Sequence, residues 1–118
     1  MKANEAIIAF SQSEKIKAGL IWASQTIEIL GGIPEGEKKG SERIIHALLS
    51  MVGHEIGLAK SLVPHDIWDE TDAFVNRAEI MVSSGVGQEA TVHLSRALSK
   101  VTTIGQQSMT ALQEMNLL

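Results

Sequence analysis

The chain has 118 residues, a formal net charge of −4 and no cysteine. Disulfides, thiolate nucleophiles and cysteine-ligated zinc are therefore excluded, and the acidic balance speaks against nucleic acid as the main partner. The length predicts one domain able to bury a core without metal or disulfide staples.

Four helices are predicted from apolar spacing. The first covers 3–30, where Ala6, Ala9, Ile16, Leu20, Ala23, Ile27 and Leu30 step by three and four. Ser11, Gln12 and Ser13 weaken its middle. Gly31, Gly32 and Pro34 stop it, and "GGIPEGEKKG" reads as the one long loop. That loop is glycine-rich but lacks the spacing of a phosphate-binding loop.

Ser41 is the expected cap of a second helix over 42–63, with Ile45, Leu48, Val52, Ile56, Ala59 and Val63 on its core face. Pro64 ends it. Asp66 is the expected N-cap of a third helix over 67–84, with Asp69 complementing the helix dipole. Its expected core is Ile67, Thr71, Phe74, Ala78 and Met81. "SGVG" turns the chain into a fourth helix over 88–116, burying Leu94, Ala97, Leu98, Val101, Leu112 and Met115. Short connections make consecutive helices antiparallel neighbours. The expected fold is all-α, an up-down-up-down four-helix bundle.

The surfaces left over carry the functional reading. On the first helix Trp22 and Ile29 lie opposite Leu20, with Ala18 beside them and Ile8 on the same side. A helix that is apolar on two faces has two things to pack against, and a two-fold homodimer is the commonest way to cover the second. The alternative is that Trp22 covers a loop of its own chain. On the second helix Gly53, Gly57, Ser50, Ser61, His46 and His54 form a strip of small and polar residues facing away from the core. Each glycine costs about 1 kcal/mol against alanine in a helix, which is accounted for if a partner backbone approaches closely there. Glu55 falls on the apolar side instead, so it is expected to be largely buried and to need a partner, with Arg77, Lys100, His93 or a water at the bundle end as candidates.

Little else points to chemistry. The Glu-x-x-His motif of bundle di-iron sites is missing. Glu42/His46 and Glu89/His93 have the spacing of ordinary i,i+4 surface pairs. No metal or cofactor is expected. Aromatic stacking platforms are few, with only Phe10, Trp22, Trp68 and Phe74 available. No stretch has the roughly 18 apolar residues of a membrane span, and the N-terminal "MKANEAIIAF" does not read as a signal peptide.

The tripeptide His54-Glu55-Ile56, with Met51 three residues before the histidine, resembles the phosphoacceptor region of histidine-kinase dimerisation helices. Histidine phosphotransfer domains likewise carry their histidine on a four-helix bundle. The resemblance implies a phosphoacceptor role for His54. It departs from the kinase pattern at Gly57 and Ala59, where a basic residue and a proline would stand, and it lacks the lysine-glycine pair of phosphotransfer domains. The sequence thus predicts a cytoplasmic, homodimeric, non-enzymatic interaction or regulatory protein, with His54 packed against a neighbouring helix or partner. The competing readings are phosphotransfer through His54, or a small-ligand or metal-binding bundle using His46, His54 and Glu55.

Overall fold

The computed structural model describes residues 1–118 as four helices: α1 (Ala3–Leu30), α2 (Glu35–Leu62), α3 (Asp66–Ser83) and α4 (Gly87–Glu114). They form an up-down-up-down bundle in which α1 packs on α2 and α4, and α3 packs on the same two helices. The bundle measures 54 × 21 × 18 Å and is elongated along its three helices of 28 residues, each about 42 Å long at about 1.5 Å per residue.

Helix α1 has the expected bounds and runs unbroken through Ser11-Gln12-Ser13. The Ser13 hydroxyl donates to the Phe10 carbonyl at 2.8 Å, so its polar group is satisfied inside the helix. Buried Thr71 and Ser108 bond back to their own helices in the same way.

Helix α2 starts seven residues earlier than its expected position 42, at Glu35. Ser41 lies inside it rather than capping it, and its hydroxyl donates to the Glu37 carbonyl. Pro34 presents an extended backbone to the first turn, and Glu35 and Glu37 there face the positive end of the helix dipole. These signals outweigh Gly36 and Gly40. Leu49, not Leu48, is the fully buried leucine of α2, with Leu48 on the margin of the core.

The third helix is capped by His65 rather than Asp66: its Nδ1 accepts from the Ile67 backbone N–H at 3.1 Å. The core residues of α3 are Ile67, Trp68, Thr71, Val75, Ala78 and Val82, so Phe74 and Met81 sit at the core margin instead. Trp68 decides this phase. It is the largest fully buried side chain, and burying its ring rotates Phe74 outward onto His93 and Arg77. The α3–α4 turn uses Gly85 at φ 78°, a left-handed value suited to glycine. Leu98 is at the margin of the α4 core and Met115 lies outside it, where Asn116 takes a left-handed conformation and the helix has ended. Their places are taken by Ala90, Ile104, Gly105 and Ser108.

Two glycines mark close helix contacts. A Cβ on Gly19 would lie 2.8 Å from Val52 Cγ2, and one on Gly105 would lie 2.9 Å from Ser13 Oγ. Neither belongs to the pair that the sequence singles out.

Candidate functional site

His46, His54 and Glu55 do not converge. They lie on one helix but point to three sides of it. Glu55 turns toward α1, where one carboxylate oxygen accepts from Gln12 Nε2 at 3.1 Å and the other pairs with Lys15 Nζ at 3.1 Å. His46 turns toward α3, with Nε2 2.9 Å from Ser83 Oγ and Nδ1 3.7 Å from Glu79 Oε2. His54 is exposed on the outer side of α2, so within the chain it does not pack against a neighbouring helix as expected. A ligand site built from all three is not formed, and no group of three His, Asp or Glu side chains is placed to hold a metal ion. Glu89 is exposed, while His93 stacks on Phe74 with ring centroids 6.5 Å apart.

Glu55 has the partnered carboxylate expected of its position, but with different partners and less burial. Its side chain is 23% exposed, and Gln12 and Lys15 hold it rather than Arg77, Lys100 or His93. The hydrogen bond from Gln12, and then that from Lys15, hold its carboxyl below the ordinary value of 4.5. A lowered carboxyl pKa contributes stability that is full above the ordinary range and is lost as pH falls through the lowered value. Lys15 is mostly exposed, so the cluster is worth about 1 kcal/mol at most. Glu55→Gln is therefore expected to cost less than ~1 kcal/mol at neutral pH and nothing in strong acid, where Glu55 is itself protonated. Urea unfolding of both proteins at the two pH values checks this.

The strip of small residues also divides. Gly53 faces α3, where an added Cβ would make only an ordinary 3.8 Å contact with Asp72 Oδ1, and Gly57 faces open space. No backbone of this chain approaches either glycine. Gly57→Ala is accordingly expected to stabilise the protein by about 1 kcal/mol, the helix-propensity difference, read as a higher urea midpoint.

The outer face of α1 is as the spacing predicts. Trp22 is 61% exposed and Ile29 66%, so Trp22 does not cover a loop of its own chain. Ala18 is half-buried. Ile8 differs from expectation, because it packs against the core. The apolar surface does not stop at α1. Ile29 shares an apolar hollow of about 170 Å³ with Ile33, Ile44 and Ile45, so it continues onto α2, where Met51, Leu58 and Leu62 are exposed as well. The sequence pattern holds the signal for this row: Ile44, Met51 and Leu58 are spaced by seven.

At the end of the bundle where α1 meets α2 and α3 meets α4, a cleft of about 1020 Å³ is lined by Glu28, Glu35, Glu42, Lys38 and Lys39, with only three apolar residues. Its three carboxylates face two lysines, and Lys38 is already paired with Glu35 at 3.0 Å. No helix is long and apolar enough to cross a membrane. Comparison with protein-family models, curated proteins and solved structures finds no match.

Proposed function

We propose that this chain is a non-enzymatic interaction or regulatory protein of the cytoplasm, acting through the apolar surface of α1 and α2. The exposure of Trp22 carries the reading. A tryptophan is among the most favourable side chains to bury and is enriched where proteins meet. Here it stands outward beside Ile29, while the bundle core is complete without it.

A second reading rests on a different observation. His54 is exposed on α2, and a phosphoacceptor needs a ring nitrogen that a donor can approach in line. Glu55 does not support this reading, since its carboxylate is engaged by Gln12 and Lys15 rather than orienting the imidazole.

Incubation with acetyl phosphate, followed by intact-mass measurement under alkaline conditions, separates the two. The interaction reading predicts an unmodified mass. A single phosphoryl adduct that disappears in His54→Gln would replace it with phosphotransfer.

A further inference from the structure

We infer that the partner of the α1/α2 surface is a second copy of the same chain, seated along the seam between the two helices. This rests on the interaction reading above and names its partner. Helix α1 contributes the heptad-spaced row Lys15, Trp22 and Ile29, and antiparallel α2 contributes Ile44, Met51 and Leu58. The register follows from Ile29 and Ile44 sharing one hollow and from the Lys15–Glu55 pair bridging the helices. Trp22 therefore lies level with the stretch of α2 around Leu48 and Met51, and the apolar residues form rungs across a continuous face.

Area is the first argument. Ile44 is 72% exposed and Met51 65%, and Leu58 and Leu62 are also open. With Trp22 and Ile29, these partly exposed side chains leave on the order of 600 Å² of apolar surface in water, taking the aliphatic ones near the lower end of the roughly 150–250 Å² of an aromatic side chain. That is at the upper end for the largest patch on a typical monomer, roughly 300–600 Å². With a polar rim it approaches the roughly 800 Å² per partner of a standard stable interface.

Charge is the second argument. The charged side chains within the seam, Lys15 and Glu55, are already paired with each other. The face therefore has no field to select a basic or acidic partner, and covering it strands no unpaired charge. What matches it is another neutral apolar face of similar length, and a second copy brings one. Two-fold pairing presents the same patch from both sides and closes the assembly at two chains. The glycine pair is not part of this interface, because Gly53 faces α3 and Gly57 lies outward, beyond the seam.

The test is sedimentation equilibrium of the full chain from low to tens of micromolar, beside Met51→Glu, Ile44→Glu and Trp22→Glu. Ile80→Glu is the control: Ile80 is equally exposed but lies on α3. The unmodified chain and the Ile80 variant should dimerise alike, and each seam variant should weaken association at least tenfold with its helical circular dichroism unchanged. Should a glutamate variant lose helicity, Met51→Gln and Ile44→Gln carry the same expectation without the added charge. A monomer throughout for the unmodified chain, or seam variants that dimerise like it, would overturn the inference. The phosphoryl-adduct result is independent of oligomeric state, so the two readings fail separately.

Discussion

Trp68→Ala is expected to destabilise the protein by about 3–5 kcal/mol, the range for truncating a fully buried aromatic side chain. The site explains the size of the effect. Trp68 is completely buried within the core cluster, and its Nε1–H donates to the Val63 carbonyl at 2.8 Å. Val63 caps α2, and Trp68 sits in the first turn of α3. One side chain therefore fills the core and ties the α2–α3 corner together. Trp68→Phe separates the two contributions. It keeps most of the volume but leaves the Val63 carbonyl without its donor, an expected cost of about 1–3 kcal/mol. Against a typical total of roughly 5–15 kcal/mol, the alanine variant should show a much lower urea midpoint, followed by circular dichroism. A loss below about 1 kcal/mol would mean that the corner repacks around the gap, contrary to the close packing of interiors.

Gly105→Ala is expected to cost about 1–3 kcal/mol, the range for overpacking a filled core, although alanine is the better helix former by about 1 kcal/mol. The added methyl would lie 2.9 Å from Ser13 Oγ and 3.4 Å from Ser13 Cβ. The serine cannot simply swing away, because its hydroxyl is buried and donates to Phe10. The contact predicts its own rescue. Ser13→Ala removes the hydroxyl that the methyl meets, and it leaves only a carbonyl that already belongs to the helix ladder. The double variant should recover most of the lost stability, giving a coupling energy of about 1–2 kcal/mol in a double-mutant cycle. Additive losses would show that α1 and α4 do not approach closely at this point.

Much of the fold is legible in the letters. The bounds of α1 follow from its apolar spacing on either side of Ser11-Gln12-Ser13 and the Gly31-Gly32 stop, and the four-helix count follows from Pro34, Pro64 and Gly85. What escapes depends on competition between neighbours. The start of α2 is hidden because Gly36 and Gly40 look like loop, while Pro34 and the acidic first turn decide in favour of helix. The phase of α3 turns on Trp68 entering the core ahead of Phe74, which single-helix spacing does not rank. The Ser13–Gly105 contact depends on the α1–α4 register, which no local pattern contains.

The candidate site divides in the same way. The outward position of Trp22 and Ile29 is a property of one helix and is read from its spacing alone. The row Ile44, Met51 and Leu58 has a visible heptad period, yet its side of α2 depends on Leu49 rather than Leu48 being the buried leucine. A small change of phase moves that row from the core margin into the open seam. Glu55 shows the remaining gap. Its need for a partner is legible, but Gln12 and Lys15 reach it only because α1 and α2 pair in this register.

Iodide quenching of tryptophan fluorescence across a dilution series tests the central claim most directly. The chain has two tryptophans. Trp68 is fully buried in the bundle and Trp22 is mostly exposed on it, so a change in quenching reports Trp22 over a constant background. Association through the seam predicts that Trp22 is shielded at tens of micromolar and becomes quenchable on dilution, with the midpoint matching the sedimentation equilibrium. A Trp22 that iodide reaches equally at every concentration would contradict it.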